Sequence, residues 1–367
     1  MSSSTIYVAV HAGAGHHDKI SEKSVRQAMK RACTEALRVA SLPGTDLLSV
    51  VERAIVELED DENLNAGTGS NLTLDGTVEC DAAIMDGRTG DFGSVGAVPG
   101  VKNPIKLAKA ILYHSRKLDK LGRIPPVTLV SSGARSFAVQ SGVETVDPES
   151  MISKRAKVDW QKWIERYNEV REEIIPKAIA SPVGAIQDTV GAVAWDNCGN
   201  VAAGVSSGGL LLKHSGRVGE AAIFGAGCWA QQSADGKTSA ACSISGTGEH
   251  IIKAGLARVI GDTFHFAKNQ EGTDVHDLLV NVLTERFYRP AVGHGILRPN
   301  AGVLLLTTES GNSKPRLWCA FTAEGMAIAY ASSERPTPKV RSNDHDTFAH
   351  EHSIGNDPST ATHYQQT

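Results

Sequence analysis

Apolar positions along this chain switch repeatedly between a two-residue and a three-to-four-residue period. Residues 6–10 alternate and are β-branched, which predicts a strand leading into the glycine-rich run His11-Ala-Gly-Ala-Gly15. Residues 21–39 place Val25, Met29, Ala32 and Ala36 at helical spacing, and residues 46–58 repeat the pattern with Asp46 as N-cap. Residues 71–74, 77–85 and 92–98 then predict short strands. They are joined by Asp75-Gly76 and Asp86-Gly87, dipeptides that favour tight hairpins and hence antiparallel pairing. Helical spacing returns over residues 104–115, and 127–131 reads as a buried strand.

Residues 151–175 differ in character. Eleven charged side chains from Lys154 to Glu173 accompany a thin apolar stripe of Val158, Trp160, Trp163, Tyr167 and Val170, which predicts an exposed helix or mobile segment spanning about 150–180. A small-residue linker, 178–187, follows. Beyond it come strands at 190–193 and 201–206 around the turn Asn197-Cys-Gly-Asn200, a glycine-rich loop, and a strand at 239–245. Helices at 249–259 and 275–287 and strands at 302–307, 316–321 and 326–331 complete the pattern. From residue 334 the chain is polar, so 334–367 reads as a disordered tail behind a single domain, 1–333. Strands with helical pairs on either side predict a layered α+β domain, with helices on both faces of a largely antiparallel sheet sandwich.

Composition narrows the function classes. At 367 residues and net charge -4, with 41% hydrophobic and 21% charged residues, the chain has ample core and no concentrated basic field. Nucleic acid is therefore not expected as a partner. No apolar run approaches the roughly twenty residues of a membrane span, so no membrane association is expected. The six cysteines, scattered without paired spacing, read as reduced buried thiols of the cytosol or nucleus and argue against a zinc site.

The sharpest chemical signal is Asp188-Thr189 at the head of an apolar strand. A threonine hydroxyl needs a base within hydrogen-bond reach. If the Asp188-Thr189 bond is cut, Thr189 gains its own α-amine, with pKa near 8, as that base.

Around this pair the chain carries His11-Ala-Gly-Ala-Gly15, Asn65-Ala-Gly67, Glu79-Cys-Asp-Ala-Ala-Ile-Met-Asp-Gly87, Thr189-Val-Gly-Ala-Val193, Gly199-Asn-Val-Ala-Ala203, Ser206-Ser-Gly-Gly209, Gly216-Arg-Val-Gly219, Gly225-Ala-Gly227 and Gly246-Thr-Gly-Glu249. In this order the motifs resemble the type-2 asparaginases among the N-terminal-nucleophile hydrolases, over residues 6–331. The resemblance implies a four-layer αββα sandwich. Within the family the chain looks most like the threonine aspartase (taspase) branch, on four features: Asp188 before the nucleophile, Ser207, Lys213-His214, and the long charged segment.

That branch implies a precursor cut into an α subunit (1–188) and a β subunit (189–333 core), forming an αβ heterodimer that pairs further. It implies an endopeptidase that needs no cofactor and cuts protein substrates after aspartate, such as trithorax-type histone methyltransferases and the TFIIA large subunit precursor. The rivals are a plant-type L-asparaginase or isoaspartyl dipeptidase, and a non-catalytic scaffold binding acidic peptides.

The resemblance also assigns roles. Thr189 is the nucleophile and Ser207 orients it. Ser245 and Gly246 stabilise the oxyanion, and Asn65 and Gly13 lie near the reacting carbonyl. Arg217 clamps a carboxylate with its planar fork, beside Glu220 and Gly248 in the substrate site. Asparaginases have an aspartate for the substrate's α-ammonium where this chain has Glu220.

Other motifs point elsewhere less well. Gly236-Lys-Thr238 lacks the earlier glycine of a phosphate loop, and His16-His17 and the histidines of the tail read as solvated rather than metal-binding. The acidic run Glu57, Glu59, Asp60, Asp61 and Glu62 reads as a solvated helix end rather than a cation site. Lys154-Arg-Ala-Lys157 fits a short import signal, giving an expectation of nucleus as well as cytoplasm.

Overall fold

Strand β1 (Ile6–Ala14) alternates between two apolar environments, with Val8 and Val10 packing to one side and Ala9 to the other. In the computed structural model, residues 5–15, 19–169, 189–267, 274–296, 298–309, 314–344 and 361–365 are described. After β1 come α1 (Lys19–Ala40) and α2 (Leu47–Glu59), the latter capped as expected by Asp46, which accepts from the Ser49 N–H at 2.9 Å. β2 (Cys80–Asp86), β3 (Phe92–Val98), α3 (Pro104–Ser115), β4 (Thr128–Val130), α4 (Ser131–Gln140) and α5 (Lys154–Glu169) complete the first half.

The second half begins with β5 (Val190–Asp196), β6 (Val201–Ser207), β7 (Cys228–Gln232) and β8 (Ser239–Gly246). Helices α6 (Gly248–Ala254), α7 (Leu256–Ala267) and α8 (Val275–Val282) follow, and α8 runs through a π-helical turn, Leu283–Tyr288, into α9 (Arg289–Gly293). Strands β9 (Ala301–Thr308), β10 (Arg316–Phe321), β11 (Gly325–Ser332), β12 (Lys339–Asp344) and β13 (Ala361–Gln365) end the described chain.

Eight strands form one sheet in the order β12-β11-β1-β5-β6-β2-β3-β4, antiparallel except for the β3–β4 pair. Five form the other, β13-β10-β9-β8-β7, wholly antiparallel. The fold is thus mixed α+β with two sheets. Helices α1, α2 and α3 pack on the larger sheet, and α7 packs on β7 and β8. One apolar cluster joins those first helices to the sheet, and a second joins Val193, Ala203 and Val205 to Ile244, Leu305 and the α7 residue Ile260. Strand β5 lies between β1 and β6, so Thr189, directly before it, is held near the centre of the larger sheet.

Several expectations are corrected. The run His11–Gly15 is largely strand, with a register shift between His11 and Ala14 that Gly13 absorbs at φ 107°. Residues 71–74 form only the bridges Leu72–Val78 and Thr73–Lys213. β4 is a short outer strand, and Val130 is 49% exposed rather than buried. The helix expected at 249–259 breaks at Gly255, which caps α6 in the left-handed region at φ 56°. The polar tail contributes β12 on β11 and β13 on β10, so it is not uniformly disordered. Such outer strands need only complete backbone ladders, which polar sequences do as well as apolar ones.

The described part of the charged segment forms the helix α5, tied to the domain at several points. Trp160 Nε1 donates to the Thr73 carbonyl at 2.8 Å, and Arg155 of the candidate import tetrad donates to the carbonyls of Glu62 (3.2 Å) and Gly69 (2.6 Å). Asp188 and the linker 178–187 lie outside the described residues.

Candidate active site

Thr189 and Ser207 come together because β5 and β6 pair antiparallel, with Val190 opposite Ser206. Both side chains are buried. The Thr189 hydroxyl lies 3.1 Å from Ser207 Oγ and 2.9 Å from Glu220 Oε1, while Ser207 Oγ accepts from the Gly209 N–H at 3.0 Å. Each hydroxyl has one hydrogen. The single Thr189 hydrogen therefore has two acceptors to choose between, Ser207 Oγ and Glu220 Oε1, and Ser207 Oγ also accepts from the Gly209 N–H.

Glu220 opens a short 3-10 turn, Glu220–Ala222, whose approach is fixed by Asp81. That carboxylate accepts from the Gly219 N–H and the Ala97 N–H, each at 2.8 Å. Burial raises Glu220 to about 7, against the pull of Arg217 and of the Thr189 hydrogen bond. Arg217 donates through Nε to Glu249 at 2.8 Å, while its buried Nη1 has no hydrogen-bond partner among the described residues. A Cβ on Gly248 would stand 2.4 Å from Glu220 Oε2 and 2.7 Å from Arg217 Nη2, so any larger residue there would push the two charged ends aside.

Asn65 holds the loop after β6. Its Nδ2 donates to the Gly209 carbonyl at 2.9 Å, its carbonyl accepts from the Gly208 N–H at 2.8 Å, and its Oδ1 accepts from the Asn71 N–H at 2.8 Å. Asn71 also donates to the Gly209 carbonyl, at 3.0 Å. Together Asn65, Thr189, Ser207, Gly209, Leu210, Arg217, Glu220 and Gly246 line a small cleft with a free volume of about 10 Å³, the room of one water.

Two expected residues stand apart from this cleft. The Ser245 hydroxyl accepts from the Ala14 N–H at 2.9 Å, tying β8 to β1, and Gly13 sits in the β1 irregularity beside it. Gly246 does line the cleft, at φ 140° and with no room for a Cβ against Asn300. Asn71, Asp81 and Leu210 were not anticipated, since each acts through backbone or loop placement that no spacing betrays. Behind the site His11 Nε2 lies 2.8 Å from Ser243 Oγ, and burial drives this imidazole down to about 3, so it is neutral.

Of the acidic run at the end of α2, Glu62 is exposed while the other four carboxyls make internal contacts. Asp61 pairs with Arg31 at 2.8 Å, Glu57 pairs with Arg53, Asp60 accepts from Asn103, and Glu59 is buried. No cluster of three or more His, Cys, Asp or Glu suited to a metal occurs among the described residues. Lys213 is nearly buried and donates to the Glu79 carbonyl at 2.6 Å, which gives that residue an architectural role.

A family model described as Asparaginase (Asparaginase_2) matches residues 4–290. The isoaspartyl peptidase/L-asparaginase of Xenopus laevis is 36% identical over 279 residues, covering 76% of this chain and 82% of that protein. Its Homo sapiens counterpart is 35% identical over 280 residues, with 76% and 82% covered. The plant-type L-asparaginase of Pyrococcus abyssi is 35% identical over 332 residues, covering 88% of this chain and 97% of that protein. These relatives overturn the expectation of a threonine endopeptidase cutting proteins after aspartate. The four features behind that expectation concern the cut site, one hydroxyl, a buried lysine and a charged helix.

Proposed function

The chain belongs to the Asparaginase_2 family of N-terminal-nucleophile hydrolases, and from that premise we propose that it hydrolyses the amide bond on the β-carbonyl of asparagine or of β-aspartyl peptides. One observation carries the reading. Arg217 and Glu220, opposite charges that both lie against Gly248, line one small cleft with Thr189. A guanidinium for the α-carboxylate and a carboxylate for the α-ammonium suit a free amino-acid end, which an internal aspartyl residue of a protein lacks. The isoaspartyl peptidase/L-asparaginases and plant-type L-asparaginases among the relatives bear names of that chemistry.

In this reading the chain cuts itself between Asp188 and Thr189 into α and β subunits. The freed α-amine of Thr189 serves as base, Ser207 holds the hydroxyl in one direction, and the Gly246 N–H stabilises the developing oxyanion, an effect of about 3 kcal/mol per donor. The packing of helices, sheet, sheet and helices supports the αββα layering of such hydrolases.

The test compares purified, processed protein on asparagine, on β-aspartyl dipeptides and on a Gln-Val-Asp-Gly-x-Asp-Asp peptide. Turnover of the small substrates is expected. Turnover of the long peptide alone would overturn the reading, and Thr189→Ala should leave one uncut, inactive chain.

A further inference from the structure

We propose that Glu220 is the base that takes the Thr189 proton when the uncut chain cleaves itself. This rests on Thr189 being the nucleophile. Before the cut the Thr189 nitrogen is an amide, which cannot act as a base, so the group that serves the mature site does not yet exist. Among the described residues, two side-chain oxygens stand within hydrogen-bond distance of the Thr189 hydroxyl: Ser207 Oγ at 3.1 Å and Glu220 Oε1 at 2.9 Å. Ser207 is a hydroxyl already accepting from Gly209, and it is no base near neutral pH. The carboxylate remains.

The surroundings hold Glu220 to this task. Its turn is pinned by the Gly219 N–H on Asp81, and Gly248 leaves space for its second oxygen. The charged groups facing it are Arg217 and Asp81, which act in opposite directions, and burial brings the carboxyl to about 7. A base with pKa close to the working pH moves protons most effectively. An aspartate here would be one methylene shorter and would meet the hydroxyl only at a longer, poorer distance. The longer side chain that departs from the asparaginase pattern is therefore what reaches the nucleophile.

The step balances within the chain. Thr189 Oγ1 bonds to the carbonyl carbon on its N-terminal side as its proton passes to Glu220. The carbon–nitrogen bond then breaks, and Glu220 returns the proton to the departing Thr189 nitrogen, leaving an ester and a free amine. Water splits the ester, releasing a carboxylic acid and restoring the Thr189 hydroxyl. Glu220 ends ionised beside Arg217, free to receive a substrate ammonium.

Full-length Glu220→Gln tests this, with precursor and products followed by intact mass between pH 5 and 9. Self-cleavage should slow about 100-fold, the magnitude typical of a lost general base, and the rise in rate around pH 7 expected of the natural chain should be absent. Glu220→Asp should cleave slowly yet keep a pH-dependent rise. Cleavage of Glu220→Gln within threefold of the natural rate, or with the same pH profile, would overturn the proposal, as would loss of the rise in Glu220→Asp. A natural chain that turned over substrates uncut would overturn self-cleavage itself and the proposal with it; a cut natural chain with an equally cut glutamine variant would remove Glu220's role alone.

Discussion

Two buried carboxyls face buried hydroxyls, Glu59 that of Ser206 on β6 and Glu220 that of Thr189 at the head of β5, and only one of them is equipped for chemistry. Glu59, at the end of α2, accepts from Ser206 Oγ at 2.7 Å and from the Ile105 N–H at 3.0 Å. Glu220 accepts from Thr189, which in turn meets Ser207. Successive strand residues point to opposite faces, so Ser206 and Ser207 divide the two carboxyls between the helical side and the cleft. Burial raises both, Glu59 to about 8 and Glu220 to about 7. Glu59 has Asp60 pushing it further up, whereas Glu220 has Arg217 pulling it down. Burial alone makes a carboxyl a neutral structural acid; a nearby cation and a reactive hydroxyl make it a proton carrier.

The largest effect should come from removing that cation. Arg217→Met should lower kcat/KM on a β-aspartyl dipeptide about 1000-fold, or some 4 kcal/mol, as expected when one partner of a buried charge recognition is lost. The self-cleavage pH profile should also move upward as Glu220 loses its counter-charge. An unmoved profile would break the contrast with Glu59. Next, Glu59→Ala should cost about 3 kcal/mol in denaturant unfolding, because it leaves the Ile105 N–H unpaired and opens a cavity. Glu220→Ala should cost far less stability, since it removes a desolvated charge at a functional site.

The pH dependence of stability sharpens the same contrast. Glu59 rises from 4.5 to about 8 on folding, so its contribution is complete below pH 4.5 and is lost as pH climbs through 8. Glu59→Gln should therefore flatten the decline in stability between pH 5 and 8, read from urea midpoints at each pH. Part of the decline should persist from Glu220, whose shift has the same sign. His11 runs the opposite way: lowered from 6.5 to about 3, it destabilises the fold as pH falls through that window.

Much of this was legible in the sequence because it lay in local spacing. Thr189, Ser207, Arg217 and Glu220 sit in glycine-rich motifs whose order marks the family, and the Asp46 cap and the helices before and after it follow from apolar period and end residues. The Glu59 carboxyl was not legible. It reads as part of a solvated acidic run, and only the packing of α2 and α3 over the sheet turns it inward. β7 and α4 escaped for a related reason, since Cys228–Gln232 and Ser131–Gln140 carry too few strongly apolar residues to declare a period. The preference for an endopeptidase failed differently: it weighed single-residue departures above the pairing of opposite charges around the nucleophile.

The smallest expected effect concerns the loop that connects the two carboxyls. Glu59 stands at its start, and Asn65, which positions the Gly209 carbonyl beside Ser207, lies within it. Arg155 of α5 grips the loop on either side of Asn65, through the carbonyls of Glu62 and Gly69. Its side chain is 31% exposed and also pairs with Asp159, while Arg31 holds Asp61 independently, so the loop has other supports. Arg155→Gln should accordingly cost less than about 1 kcal/mol in stability. A displaced Asn65 would loosen the hydroxyl relay without touching Arg217, so kcat should fall about threefold, a mild case of misplacement, while KM stays unchanged. Loss of kcat together with a raised KM would mean that α5 shapes the charge clamp instead. An unchanged kcat would detach the Glu59 side of β6 from the cleft, leaving the chemistry to Glu220 and its neighbours alone.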